Sequence, residues 1–309
     1  MSETKHKSGN SEIQGFRDAS VSQSPDSQIP YRNLYIYYIQ GRVKPCNEIS
    51  GREFVGNWEE DDFSFLFFSE PSREKMGKLL NAQPDLALLD QFCMTYEEWQ
   101  GGKIAPFEVG SFLISPPWER NPKSEIRNPK SEIENPKSEI LLDPGVVFGT
   151  GTHPTTHDCL EILERVCCEE KIESVLDLGT GTGLLALAAA RLGCRHILAV
   201  DFNFLAAKTA KRNAVLNLLE ENMLTVQGRA EDFMDYPAEL MIANIHYDVM
   251  KRLIRSEGFL RKKWFILSGL LRSEARDIAW KLSQYPVKIL ERRERDSVWH
   301  TFFGAIVNH

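Results

Sequence analysis

Two glycine-rich stretches carry residues that could hold a ligand, and they share the tetrapeptide GTGT. The first reads VVFGTGTHPTTHD and the second reads LDLGTGTGLLALA. In the second stretch, Gly179, Gly181 and Gly183 stand between a predicted buried strand and a predicted helix. Glycine lets a backbone approach a ligand there, and the first N–H groups of the helix are free to bind it. Asp201 ends the next predicted strand, where a carboxylate commonly binds ribose hydroxyls.

The spacing of the second stretch distinguishes between two cofactor classes. A dinucleotide-binding loop reads G-x-G-x-x-G because the pyrophosphate lies on the helix N-terminus. This chain has Leu184 at the last position and reads G-x-G-x-G, with Asp177 two residues before the first glycine. The tighter loop and the preceding acid favour S-adenosylmethionine, which has a carboxylate and an ammonium but no pyrophosphate. A plain strand-to-helix turn without a ligand is the alternative.

Composition limits the classes of partner. The chain has 309 residues, a formal net charge of -7 and six cysteines without C-x-x-C spacing. The negative charge argues against direct binding to nucleic acid or to an anionic membrane, and it is compatible with a basic protein partner. The scattered cysteines and the absence of a signal-like or membrane-spanning apolar run predict a reduced, cytoplasmic protein. The oligomeric state is not indicated.

The chain divides into four predicted segments. Residues 1–30 are polar and are predicted to form a disordered tail. Residues 31–118 combine strand patterns with one short amphipathic helix and are predicted to form a small α+β domain. Residues 119–141 hold the repeat NPKSEI three times, and its prolines forbid a coiled coil, so a solvated linker is expected. Residues 142–309 alternate strands and helices, which predicts an α/β domain with a mostly parallel, doubly wound sheet.

Four strings of this second domain resemble the ribosomal protein L11 methyltransferase (PrmA) family. They are LDPGVVFGTGTHPTT, VLDLGTGTGLLALAAARLG, ANI and ILSGLL. The resemblance covers roughly residues 95 to 280 apart from the repeat. It implies a class I, Rossmann-like domain that uses S-adenosylmethionine to methylate lysine or N-terminal amines of a ribosomal protein. It also implies a ferredoxin-like N-terminal domain that recognises this protein substrate. Cofactor contacts would fall on Thr156, Gly179, Asp201 and Asn244.

Two departures from the family pattern leave alternatives open. The family typically reads N-I-L-A where this chain has Asn244, Ile245, His246 and Tyr247, and Asn and Tyr at this spacing are similar to the N-P-P-Y motif of other amino-group methyltransferases. Residues between the first two predicted strands, 41–63, are too rich in Pro and Gly to supply the first helix of a ferredoxin-like domain. Another protein lysine, a small amine or a non-catalytic cofactor-binding role are therefore the alternatives.

Methyl transfer to nitrogen needs a neutral amine aligned with the bond that breaks. Desolvation beside a sulfonium cation favours the neutral amine, and the side-chain oxygen of Asn244 could accept its remaining hydrogens. Tyr247 is expected to pack beside the acceptor, and His153 is a candidate base, although a loop-holding role is the commoner one for such a histidine. His153 and His157 have metal-ligand spacing, but no third ligand is evident, so no metal is expected.

Overall fold

The computed structural model describes residues 33–119, 138–147 and 149–307. The expected disordered tail and most of the expected linker lie outside these ranges.

The N-terminal domain is built on one antiparallel sheet. Its strands are β1 (Asn33–Gln40), β2 (Phe54–Glu60), β3 (Phe63–Phe68) and β4 (Ala87–Thr95), in the order β2-β3-β1-β4. Helix α1 (Arg73–Ala82) joins β3 to β4, and the single turn α2 (Tyr96–Trp99) follows β4. Because successive strand residues face opposite sides, β1 buries Tyr37 and Ile39 against α1 and Leu34 and Ile36 against the second domain.

The strand order is that of a ferredoxin-like sheet, but one helix of that fold is missing. Residues 41–53 between β1 and β2 form turns and irregular backbone, as their Pro and Gly content predicts. Val43 and Ile49 of this segment are buried in the same cluster as Met76 and Leu79 of α1. The irregular segment therefore covers the part of the sheet that the absent helix leaves open.

A small three-stranded sheet changes the expected domain boundaries. Its strands are β5 (Phe107–Val109), β6 (Phe112–Ser115) and β7 (Ser138–Leu141); β5 pairs antiparallel and β7 pairs parallel with β6. Phe112 and Ile140 are fully buried in the core of the second domain. Residues 107–115 therefore pack with the second domain, not with the first as expected. Likewise, the last residues of the repeat are a buried strand, not a solvated linker, because Ile140 finds an apolar site.

The second domain has the expected doubly wound sheet. Its strands are β8 (Ser174–Leu178), β9 (His196–Asp201), β10 (Met223–Gln227), β11 (Leu240–Asn244), β12 (Trp264–Leu271), β13 (Val287–Arg295) and β14 (Trp299–Ile306). Their order is β10-β9-β8-β11-β12-β14-β13; β8 to β12 are parallel, and β14 is antiparallel to both of its neighbours.

Helices cover both faces of this sheet. They are α3 (Pro154–Glu169), α4 (Leu184–Arg191), α5 (Phe204–Leu216), α6 (Tyr247–Leu253), α7 (Glu257–Leu260) and α8 (Arg272–Leu282). The chain leaves β8 in one direction through β9 and β10, and in the other through β11 and β12. The topological switch point thus lies between β8 and β11, where open α/β sheets bind ligands at the carboxyl ends of their strands. None of the helices in the described ranges combines the length and hydrophobicity needed to cross a membrane.

One buried asparagine on α5 joins the two glycine-rich stretches. Asn213 has no exposed surface. Its side-chain nitrogen donates to the carbonyls of Thr182 and Asp143, both at 2.9 Å, and its side-chain oxygen accepts from the Asp143 N–H at 3.0 Å. One helical turn later, Asn217 makes the equivalent pair of bonds to the backbone of Leu141. These bonds fix the end of β7 and the residues after it, which lead into the first stretch.

We expect Asn213→Ala to lower the free energy of unfolding by about 3 kcal/mol, because three backbone groups, one buried and two part-buried, lose their partner. Lys211→Ala is the matched control, since Lys211 is exposed on the same helix and its loss should change stability by less than about 0.5 kcal/mol. Urea denaturation followed by circular dichroism measures both. Equal stability of the two variants would contradict the role given to Asn213.

Candidate active site

The carboxyl ends of four adjacent strands bring the expected site residues together. Asp201 ends β9, Gly179 follows β8, and Asn244 ends β11, opposite Ser268 of β12. The register pairs Leu178 with Val200 on one side and with Ala243 on the other. Gly179 therefore lies level with both the Asp201 carboxylate and the Asn244 amide.

Each glycine of the second stretch has a left-handed backbone, with φ of 73° at Gly179, 56° at Gly181 and 87° at Gly183. Residues other than glycine rarely adopt such φ values. A Cβ at Gly179 would lie 2.8 Å from the Ile245 side chain, and one at Gly183 would lie 3.0 Å from that of Ala210 on α5. Gly183 is thus required for packing α4 against α5, whether or not it contacts a ligand.

Two carboxylates organise the second stretch. Asp177 is 1% exposed and accepts a hydrogen bond from the Thr180 hydroxyl at 2.6 Å. Burial raises its pKa to about 7. Asp201 accepts from the N–H groups of Gly181 and Asn203, both at 2.9 Å, and burial raises its pKa as well. A carboxylate has about four acceptor positions, so Asp201 retains capacity for the hydroxyls of a ligand.

The first stretch lies directly against the second. The Thr182 hydroxyl donates to the Gly149 carbonyl at 2.7 Å. Gly149 has a φ of 107°, and a Cβ there would lie 3.1 Å from the Thr182 hydroxyl oxygen. The contact therefore depends on glycine in the first stretch, and it places both stretches at the same edge of the sheet.

The connection from the N-terminal domain holds the segment before the first stretch. The Trp99 indole N–H donates to the Val146 carbonyl at 3.2 Å, and the Gln100 amide donates to the Gly145 carbonyl at 2.6 Å. Val146 also belongs to the apolar cluster that the two domains share. The position of the N-terminal domain therefore affects the position of the first glycine-rich stretch.

Asn244 is oriented by its neighbours. Its side-chain nitrogen donates to the Thr156 hydroxyl at 3.4 Å. Its side-chain oxygen faces Gly269, where a Cβ would approach to 3.1 Å. Gly269 has a φ of 84° and lies where the pairing of β12 with β14 shifts between Leu267 and Leu270. This bulge gives the amide oxygen room, as bulges beside functional sites commonly do.

The other two expected catalytic side chains are already held by neighbouring side chains. His153 caps α3, with its ring nitrogen 2.7 Å from the Thr155 hydroxyl, and its ring lies edge-to-face on Trp299. Burial lowers its pKa. The Tyr247 hydroxyl donates to Asp277 of α8 at 2.6 Å, and this bond raises its pKa to about 12. His153 thus has the loop-holding geometry, and Tyr247 ties α6 to α8.

The metal-ligand spacing of His153 and His157 leads to no metal cluster. The His157 ring stacks on Phe107, with centroids 5.7 Å apart and an interplanar angle of 4°. Within residues 33–119, 138–147 and 149–307, no group of three or more His, Cys, Asp or Glu side chains could hold a metal ion.

Several residues at the site were not singled out from the sequence. Phe202 follows Asp201 directly and is 58% exposed, although it is large and apolar. Its position after the acidic strand end was a usable signal. Gly269 lies within the ILSGLL string, but only its backbone conformation shows why glycine is needed. Trp99 and Gln100 carry no sequence signal, because their partners are backbone carbonyls more than forty residues away.

Comparisons with known proteins show which family the chain belongs to. The family model described as Ribosomal protein L11 methyltransferase (PrmA) matches residues 94–305. A ribosomal protein L11 methyltransferase from Desulfitobacterium hafniense is 31% identical over 277 residues, which cover 79% of this chain and 82% of the relative. Another from Caldicellulosiruptor saccharolyticus is 35% identical over 275 residues, covering 86% of this chain and 80% of the relative.

The chain belongs to the ribosomal protein L11 methyltransferase family. The family resemblance seen in the sequence is thereby confirmed, and so is the methyltransferase class of enzyme. A solved structure of ribosomal protein L11 methylase from Lactobacillus delbrueckii subsp. bulgaricus shares the fold, with a TM-score of 0.54 and 23% identity. The match covers 66% of this chain and the whole of that chain. The match to the family model begins at residue 94, so the β5-β6-β7 sheet lies within the matched part of the chain.

Asp177 should make stability depend on pH in a specific window. Its folded-state pKa of about 7 lies above the unfolded value of about 3.9, so its stabilising contribution is complete below pH 3.9 and is lost as pH rises through 7. Asp177→Asn should therefore gain stability relative to wild type between pH 5 and pH 7.5, by at most about 1.4 kcal/mol per pH unit. Unfolding free energies across this range measure the difference.

Asp90→Asn is the control for this comparison, because Asp90 is exposed on β4. The difference in unfolding free energy from wild type should therefore change with pH much more for Asp177→Asn than for Asp90→Asn. An equal pH dependence of the two variants would contradict the pKa assigned to Asp177.

Proposed function

We propose that this protein transfers methyl groups from S-adenosylmethionine to lysine or N-terminal amines of ribosomal protein L11. Relatives that share 31–36% of their aligned residues with it bear the name ribosomal protein L11 methyltransferase. The observation that carries the proposal is the orientation of Asn244 at the switch point, where its side-chain nitrogen is held by Thr156 and its amide oxygen faces Gly269.

The residues of the site fit S-adenosylmethionine better than a dinucleotide. Leu184 is buried at the position of the third dinucleotide glycine, so the loop does not have the glycine spacing of a dinucleotide-binding site. Asp201 would hold the ribose hydroxyls, and the exposed ring of Phe202 offers an apolar face for the adenine. Asp177 and the backbone of Gly179 and Gly181 would hold the amino acid end, because a ligand ammonium favours the ionised form of a buried carboxyl.

When bound, S-adenosylmethionine supplies a methyl group on a sulfonium, which is the electrophile. Asn244 then aims the acceptor: its amide oxygen accepts a hydrogen of the neutral amine and so directs the lone pair. Thr156 fixes the amide by accepting from its nitrogen. Gly269 keeps space beside the oxygen.

The site does not depend on a strong general base in this proposal. Tyr247 is held by Asp277 with a pKa of about 12, so it is protonated at neutral pH. His153 is engaged by Thr155 and caps α3. Desolvation of the acceptor beside the sulfonium would favour a neutral amine before transfer.

The N-terminal domain offers a surface suited to a basic protein. β4 is an edge strand of its sheet, and nearly all of its residues are exposed, among them Leu88, Leu89 and Phe92. Residues 84–99 contain four acidic residues and no lysine or arginine. A basic segment can add to such an edge through main-chain hydrogen bonds. Pairing of two copies would instead place like charges opposite each other.

A transfer assay tests the proposal. The purified protein is incubated with methyl-labelled S-adenosylmethionine and a mixture of purified ribosomal proteins, and the labelled protein and residue are identified by mass spectrometry. Label on lysine or N-terminal amines of ribosomal protein L11 is expected. Label on another protein, or on small amines alone, would assign a different substrate; absence of transfer despite cofactor binding would overturn the enzymatic proposal.

Substitutions of Asn244 and Asp201 should change different constants: kcat for Asn244, and the Kd for S-adenosylmethionine for Asp201. Asn244→Ala should lower kcat roughly 10- to 100-fold with little change in the Kd for S-adenosylmethionine, because its contact is with the acceptor. Asp201→Ala should weaken cofactor binding by a similar factor through lost charge-assisted hydrogen bonds. Asn222→Ala is the control, since Asn222 precedes β10 at the opposite edge of the sheet. If Asn244→Ala changed only the Kd, its acceptor-aiming role would be wrong.

A further inference from the structure

Two cysteines at the carboxyl ends of neighbouring helices lie in contact. Cys167 is in the last turn of α3, and Cys194 follows α4 by three residues. Their sulfur atoms are 3.9 Å apart. A disulfide bond is about 2.05 Å long, so an approach of about 1.9 Å joins them. All six cysteines of the chain lie in the described ranges and are free thiols.

A small oxidant can reach this pair. Cys194 is buried, whereas Cys167 is half-buried and lines an open cavity of about 200 Å³ together with Lys171, Leu192 and Arg195. The cavity is several times the roughly 30 Å³ that one water occupies in the liquid, so a peroxide molecule fits.

We propose that Cys167 and Cys194 form a reversible disulfide when the protein meets a peroxide. The Cys167 sulfur, once deprotonated, attacks one peroxide oxygen; the O–O bond breaks, and a sulfenic acid and one water result. The Cys194 thiolate then attacks the Cys167 sulfur and displaces hydroxide, which takes up a proton. In total, two thiols and one hydrogen peroxide give one disulfide and two waters. A dithiol reductant reverses the reaction.

Accessibility decides the assignment of roles, because Cys167 lines the cavity whereas Cys194 is buried. The hydrogen bond between the two thiols raises the pKa of Cys167 and lowers that of Cys194. Cys194 is thus the more readily ionised partner and suits the second step, in which a thiolate closes the bond. Cys168 is adjacent in sequence but exposed, and it makes no equivalent sulfur contact within the described ranges.

The bond would enclose the second glycine-rich stretch. The chain from Cys167 to Cys194 contains β8, residues 179–183 and α4. Both helices that the bond joins begin at the candidate site, α3 after His153 and α4 after Gly183. Because a crosslink restricts the unfolded chain, the oxidised protein should melt at a higher temperature, by roughly 5 °C.

Peptide mapping of the full-length protein tests the proposal. The protein is treated with hydrogen peroxide, remaining thiols are alkylated, and proteolytic peptides are identified by mass spectrometry with and without dithiothreitol. A peptide pair linked through Cys167 and Cys194, two hydrogens lighter than the sum of its reduced parts, is expected. It should be present only in the sample without dithiothreitol. Tm should rise on oxidation and return on reduction.

Three variants complete the test. Cys167→Ser, at the half-buried position, should abolish the linked pair and the Tm rise while keeping the fold. Cys168→Ser and Cys93→Ser, both at exposed positions, should retain them. Absence of the linked pair in wild type, or a pair formed through Cys168 instead, would overturn the proposal. Since no methyl transfer is measured, the result is independent of the proposed enzymatic function.

Discussion

The arrangement of the candidate site depends on the buried side chain of Asn213. Three hydrogen bonds from this residue satisfy both backbone groups of Asp143 and the carbonyl of Thr182. The first stretch is thereby anchored at its entry, and the Thr182 hydroxyl holds it again at Gly149. Together these bonds fix the position of the first glycine-rich stretch relative to the second, although the two stretches are about thirty residues apart in the chain. An apolar residue at this position would leave polar backbone buried and unpaired.

The candidate site contains two carboxyl groups in surroundings that disfavour their charged form. Asp177 is buried and Asp201 is nearly so, both are on adjacent strands, and burial raises both pKa values. Carboxyl groups in such surroundings are unfavourable for folding but typical of functional sites. The oriented Asn244 and the bulge at Gly269 lie at the same edge of the sheet, where a Cβ at Gly269 would approach the amide oxygen to 3.1 Å. Stability is instead supplied by the two apolar clusters that cover the faces of the sheet.

The N-terminal domain shows how a fold tolerates the loss of an element. One face of its sheet is covered by α1 and the segment 41–53, and the other rests on Leu205 and Val146 of the second domain. The second face therefore needs no helix. β4 alone remains exposed, because it lies at the edge beyond both coverings. The docking contacts from Trp99 and Gln100 to the loop before the first stretch connect this domain to the site.

The sequence by itself determined the α/β class, the order of strands and helices in the second domain, the family and the residues at the strand ends. These follow from local patterns: apolar periodicity, glycine spacing and the acid after a buried strand. Only the tertiary structure decided what His153, Tyr247 and Gly183 do, since each is engaged by a partner distant in the chain or by packing between helices. It also decided the domain boundary, because the strand pattern around Phe112 does not specify which core the strand joins, and Ile140 was expected in a solvated linker. Local sequence specifies the type of element, whereas burial against a particular partner depends on contacts that no short stretch contains.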